Sequence, residues 1–111
     1  MTRPRSFHAH VYFGADTIDE ARKLARACSK RFGVKMGRVH EKPVGPHPDW
    51  SCQLAFEPDL FGEIIPWLAL NRAGLNVFIH PNTGDDLKDH TDHVMWLGAS
   101  RPLDLSSFGK K

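Results

Sequence analysis

The stretch that decides the fold is residues 7–13, FHAHVYF. Its apolar side chains occupy the odd positions, and the polar His8, His10 and Tyr12 occupy the even ones. Strict alternation of this kind predicts a half-buried β-strand. Because successive side chains of a strand point to opposite faces, both imidazoles fall on the same face of the sheet.

Further elements follow this strand at regular intervals. Residues 15–33, ADTIDEARKLARACSKRFG, predict a helix with a capping box at Thr17 and Glu20 and a stop at Gly33. A second helix is predicted over roughly 59–73, where Pro66 should kink the helix or lie in its first turn. The remaining predicted strands span 34–41, 50–56 and 75–80. The acidic segment 81–93 has room for one helical turn.

The element order β-α-β-β-α-β predicts an α+β, ferredoxin-like sandwich. We expect a four-stranded antiparallel sheet with spatial order 4-1-3-2, two helices on one face, and a single domain over residues 1–111. Strand 4 then lies beside strand 1, which brings His80 close to His8. The other face is expected to be open and to carry His8, His10, Tyr12, Arg38, His40, Gln53, Phe78 and His80.

Three of these histidines, His8, His10 and His80, form the predicted metal site. Imidazole is the commonest metal ligand, and three of them on one face would supply half of a coordination sphere. The alternative is that all three are tolerated on a solvated or dimer-packed surface.

Other polar residues have two interpretations each. His47 lies between Pro46 and Pro48, and this stiff loop could aim a catalytic imidazole or be merely a rigid turn. His90 and His93, three apart, could share a helical face or belong to a solvated acidic loop. Arg38 could bind a carboxylate through two hydrogen bonds or be a surface cation.

The composition excludes several classes of protein. A chain of 111 residues with a net charge of +2 and no basic stripe does not predict nucleic-acid binding. No apolar run is long enough to span a membrane, and the first residues lack the apolar core of a signal peptide. We therefore expect a cytoplasmic protein with Cys28 and Cys52 as thiols. A homodimer is predicted from the open face and from Trp96, Leu97 and Phe108 of the tail.

Four segments together resemble the DOPA 4,5-dioxygenase family. They are FHAHVYF, GRVHEKPVGPHP, WLALNRAGLNVFIHPNTGD and DHTDHVMWLG, and the resemblance covers roughly residues 7–105. It implies a small cytosolic enzyme that cleaves the ring of dihydroxyphenylalanine in the extradiol mode, with iron(II) and dioxygen.

The chemistry that this resemblance implies can be assigned to the candidate residues, and the choice of metal ligands rests on the sheet geometry. His8, His10 and His80 would bind Fe(II), which zinc or another divalent metal can replace in a purified sample, and an acidic residue could substitute for one of them. His47 or His93 would be the acid–base group. Arg38 would hold the substrate carboxylate, and Tyr12 or Phe78 would pack on the ring. Two alternatives stay open: a non-enzymatic dimeric ferredoxin-like module that binds a metal or ligand, and a cofactor-free oxygenase.

Overall fold

The computed structural model describes residues 3–108. Five strands and three helices alternate along this part of the chain. The strands are β1 (Ser6–Phe13), β2 (Lys35–His40), β3 (Trp50–Phe56), β4 (Val77–Asn82) and β5 (Met95–Leu97). The helices are α1 (Ile18–Phe32), α2 (Phe61–Asn71), which follows a 3₁₀ turn over Pro58–Leu60, and the short α3 (Asp86–Asp89).

The strands form one antiparallel sheet in the order β2-β3-β1-β4-β5. The predicted α+β class and the predicted order of the first four strands are confirmed. The predicted number of four strands is wrong, because β5 pairs with the free edge of β4. Its three residues keep the period of a strand: Met95 and Leu97 pack against the core, and Trp96 lies on the other face against Phe78.

The main core lies between the sheet and the two long helices. The odd-numbered residues of β1 face it, as their alternation predicts, and both α1 and α2 pack on this same face. The buried apolar side chains that the helices contribute are Ala21, Leu24, Ala25, Cys28, Ile64 and Leu68.

The ends of α1 show one confirmed and one wrong prediction. Gly33 ends the helix in the left-handed conformation with φ 68°, which a residue without Cβ adopts freely. The capping box at Thr17 does not form, because the Thr17 hydroxyl accepts a hydrogen bond from the Gly14 amide at 3.0 Å. In α2, Pro66 lies in the helix interior and not in the first turn.

The second face of the sheet is covered over most of β1 and β4, so the predicted open face is wrong there, while Arg38 on β2 is exposed. Tyr12, Phe78 and His80 are only 3%, 0% and 2% exposed. The proline loop (residues 41–49) folds over Tyr12 and Phe78 through His47, and His90 lies against Phe78 and His80. The C-terminal strap (residues 98–108) packs against both the loop and His90. Within residues 3–108, no helix is long and apolar enough to cross a membrane.

Candidate metal centre

Three histidines converge on the face that the strap and the loop cover. His8 and His80 lie directly opposite each other on β1 and β4, and His10 lies two residues further along β1. One ring nitrogen from each residue lies within 4.8 Å of the others. The shortest separation joins His10 Nε2 and His80 Nε2 at 3.1 Å. We call these three residues the histidine cluster.

His80 presents its ring in the form that a metal requires. His80 Nδ1 lies 2.9 Å from the Pro81 carbonyl oxygen, which can only accept, so Nδ1 carries the proton and Nε2 keeps its lone pair. Burial lowers the pKa of His80 to about 4 and that of His10 well below its ordinary value. Burial also lowers the pKa of His8. All three imidazoles are therefore neutral at neutral pH, as metal ligands must be.

The spacing and the hydrogen bonding both fit a metal ion. Two metal–nitrogen bonds of about 2.1 Å at a right angle place their nitrogens about 3 Å apart, close to the separation of His10 Nε2 from His80 Nε2. A ligating histidine also usually donates its other N–H to a carbonyl or carboxylate, as His80 does to Pro81. The cluster is thus suited to a transition metal that accepts imidazole ligands.

His47 lies over the cluster, held by the proline loop. Its ring centroid is 4.2 Å from that of His10, and its Nδ1 lies 2.7 Å from the Tyr12 hydroxyl. Burial raises the pKa of Tyr12, so the phenol stays protonated and can donate to Nδ1. Neutral His47 then carries its own proton on Nε2. Burial lowers the pKa of His47 to about 4, with smaller contributions from neighbouring histidines.

His90 is a neighbour of the cluster that the sequence interpretation did not select. It follows α3, and its ring centroid is 4.2 Å from that of His80. Its Nδ1–H donates to the Asp86 carbonyl at 2.7 Å, which leaves Nε2 as an acceptor. The spacing of His90 and His93 indicated that both could share a helical face, but it does not show which one lies against the sheet.

His93, the other predicted acid–base group, is not brought to the cluster. Its side chain is 41% exposed, and its Nδ1 lies 3.1 Å from the buried carboxylate of Asp89. The Thr83 amide and hydroxyl each donate to that carboxylate at 2.7 Å. His93 instead borders a cleft of about 460 Å³ with Arg5 and Lys88.

The three predicted substrate-binding residues occupy different positions. Phe78 is fully buried, with its ring 4.8 Å from that of Trp96, and Tyr12 contacts His47 through its hydroxyl. Arg38 is exposed on β2, where the pairing with β3 is irregular between Met36 and Val39. Because β3 separates β2 from β1, Arg38 lies roughly 10 Å from the β1 backbone.

Fold and site together define a class: a small α+β protein with a buried histidine centre fit for a metal. The sequence profile described as the Dopa 4,5-dioxygenase family matches residues 7–107. The chain belongs to this family.

Two curated relatives are longer than this chain. An Amanita muscaria protein named DOPA 4,5-dioxygenase is 30% identical over 112 residues, which cover 93% of this chain and 49% of that protein. A Botryotinia fuckeliana protein, described as an uncharacterized 21.2 kDa protein, is 36% identical over 114 residues, which cover 91% of this chain and 62% of that protein. The chain therefore spans about half to three-fifths of these relatives.

A solved structure has nearly the same fold. It is the crystal structure of a Nostoc punctiforme protein described as a "putative dioxygenase", with a TM-score of 0.91 and 45% sequence identity. The match covers 93% of this chain and 90% of that one. The two chains are therefore similar over nearly their whole lengths.

Proposed function

We propose that this chain is an extradiol ring-cleaving dioxygenase that acts on a catechol such as dihydroxyphenylalanine, with a non-haem metal and dioxygen. The observation that carries the proposal is the convergence of His8, His10 and His80 within 4.8 Å in a member of the Dopa 4,5-dioxygenase family. In this reaction a ring carbon–carbon bond next to the hydroxyls breaks. Both atoms of dioxygen end in the product, so no external reductant is needed.

The histidine cluster would hold the metal, which we propose to be Fe(II). The chemistry that iron(II) supplies at a site with three protein ligands is the activation of dioxygen beside the two oxygens of a catechol. The chain's own contribution begins with His80, whose bond to Pro81 fixes the direction of its Nε2. The segments that cover this face leave His10 and His80 only 5% and 2% exposed.

His47 is the proposed acid–base group. Its Tyr12 hydrogen bond fixes the ring and leaves the proton on Nε2, so that His47 can give this proton to a substrate oxygen and later regain it. Tyr12 is then a positioning residue. The stiffness of the proline loop keeps the His47 ring 4.2 Å from His10, which limits the entropy lost on reaching the reactive arrangement.

Arg38 is the proposed partner of the substrate carboxylate. A flexible Arg side chain on β2 can reach over β3 toward a substrate tail that extends from the cluster. We expect Arg38→Gln to raise KM for dihydroxyphenylalanine by about tenfold while KM for unsubstituted catechol is unchanged. Equal effects on both substrates would show that Arg38 does not bind the substrate carboxylate.

Anaerobic reconstitution with Fe(II), followed by oxygen and a panel of catechols, tests the proposed activity. We expect oxygen uptake with formation of a yellow ring-opened product, and loss of both after chelator treatment. His10→Asn is the site variant, and Gln53, which pairs with His10 from β3, supplies a matched control as Gln53→Asn. Turnover that resists chelators would favour a cofactor-free oxygenase, and metal binding without turnover would favour a non-enzymatic module.

The predicted cytoplasmic location and the predicted homodimer stay predictions. The tail residues on which the dimer was based, Trp96, Leu97 and Phe108, are half-buried in the single chain. A dimer would therefore have to use another surface, for example the helical surface around Leu70, which is 86% exposed. Light scattering at micromolar concentration distinguishes monomer from dimer.

A further inference from the structure

The C-terminal strap is tied to the proline loop and to His90 by three contacts. The Arg101 guanidinium donates to both carboxylate oxygens of Asp49, at 2.8 and 3.0 Å. The Asp104 amide donates to the Pro46 carbonyl at 2.8 Å. The Phe108 ring stacks on His90, with centroids 4.4 Å apart and planes 26° apart. The strap therefore bridges the two segments that carry the histidines beside the cluster.

These contacts are weaker than the strand pairing that forms the floor of the cluster. The floor consists of β1 and β4, which pair over six residue positions of an antiparallel ladder. The Arg101–Asp49 pair is surface-exposed, with side chains 43% and 26% accessible, and exposed ion pairs stabilise little in water. The strap is thus the wall that can open without breaking the sheet.

A ring-sized ligand needs such an opening. His10 and His80 are 5% and 2% exposed, whereas His8 and His90 are half-buried and lie toward the solvent. Phe108 covers one face of His90 on this more accessible side. A planar ring that entered beside His90 would therefore meet Phe108.

We propose that the C-terminal strap is the gate of the histidine cluster, and that a planar aromatic ligand enters by displacing Phe108 from His90. The class of ligand rests on the proposed function, but the gate itself does not depend on turnover. The closed strap and the bound ring then compete. Only molecules with an open strap bind the ring, so its apparent affinity falls as the fraction of closed molecules rises. Phe108 and Arg101 are the residues that set this fraction.

Binding of 4-fluorophenol, followed by fluorine NMR, tests the gate without iron or ring cleavage. Phe108→Ala should bind the probe about fivefold more tightly than the wild type, and Arg101→Gln should change affinity in the same direction by a smaller factor. Arg22→Gln is the matched control, because it removes another surface Arg–carboxylate pair, Arg22–Glu41, outside the strap. In the wild type, saturating probe should accelerate hydrogen exchange of the Asp104 amide.

Three results would overturn the gate. They are unchanged or weaker binding to Phe108→Ala and Arg101→Gln, unaltered exchange at Asp104, and failure of every variant to bind the probe. Circular dichroism shows whether Phe108→Ala is folded, and Arg101→Gln decides the question if it is not. Should the variants bind 4-fluorophenol as expected while the wild type turns over no catechol, the proposed function fails and the gate stands.

Discussion

The two faces of the sheet are both buried, but by different means. On the helix face, α1 and α2 cover an apolar surface that includes Ala9, Leu54 and Ile79, all of them 0% exposed. On the histidine face, His47 of the proline loop lies over His10, His90 lies over His80, and the strap packs on both segments, so that His10 and His80 are at most 5% exposed. One face is buried by helices and the other by irregular chain.

This difference separates stability from function. Apolar burial has no direction, so the helix face needs only close packing. Buried imidazoles need directed partners, and they find them in the pairs Tyr12–His47, His10–His80 and His80–Pro81. Within residues 3–108, no buried side-chain nitrogen or oxygen lacks a hydrogen-bond partner. A face that could have been filled with apolar residues instead carries nitrogens that can hold a metal and move a proton.

The largest effect is expected on the histidine face, at His47. His47→Ala should bind iron and catechol, giving the same ligand-to-metal absorption band, but turn over about 10²–10⁴ times more slowly. The reason is that His47 contacts His10 and Tyr12 and is not one of the three clustered ligands. Stopped-flow absorption measures the binding of catechol to the iron-loaded variant, and steady-state oxygen uptake measures its turnover.

His93→Ala is the comparison variant for His47. Both histidines were candidates from the sequence, but the structure brings only His47 next to the cluster. Loss of iron from His47→Ala would make His47 a ligand. Normal turnover in that variant, with slow turnover in His93→Ala, would transfer the acid–base role to His93.

On the helix face, the expected effect is on stability alone. Leu54→Ala removes a fully buried side chain from the core and should lower the free energy of unfolding by about 2–5 kcal/mol. Metal stoichiometry, measured by elemental analysis of the folded variant, should not change. If Leu54→Ala stays stable in urea but loses its metal, the packing of the helix face directly affects metal binding on the histidine face.

The two faces should also differ in their response to acid. The pKa values of His47 and His80 are about 4 in the folded chain because burial disfavours the charged ring, whereas the ordinary value is 6.5. Between these values the unfolded chain binds more protons, so the metal-free protein should lose stability as the pH falls from about 6.5 toward 4. Urea titrations at several pH values measure this slope.

Matched variants assign that slope to one face. His80→Gln should reduce it, because one titrating ring is removed while His10 and His47 remain. Leu54→Ala should lower stability equally at every pH and leave the slope unchanged. A slope that persists in His80→Gln and in His47→Gln would mean that other groups control the acid response.

The sequence predicted the sheet and the histidine cluster because both depend on local periodicity. FHAHVYF fixes which side of β1 faces the helices, and the order of elements brings His80 opposite His8. The sequence could not predict which segments cover the histidine face. These segments are held by long-range contacts such as Arg101–Asp49 and His90–Phe108, and such contacts leave no periodic pattern in the sequence. For the same reason, the sequence did not predict strand β5 or the position of His90 beside the cluster.

The smallest of these effects is expected at Asp89, on the edge of the histidine face. Burial opposes ionisation of this carboxyl, but hydrogen bonds from Thr83 and His93 outweigh it, and its pKa is lowered from the ordinary 3.8. The ionised form therefore stabilises the fold above pH 3.8, and this stabilisation is lost as the pH falls through the folded value. Asp89→Asn should cost about 1–3 kcal/mol at neutral pH, with the difference from wild type shrinking below about pH 4. Asp92→Asn, an exposed neighbour, is the control for the change of charge. A loss at Asp89 as large as that of Leu54→Ala would show that α3, which carries His90, is as important to the stability of the fold as the apolar core.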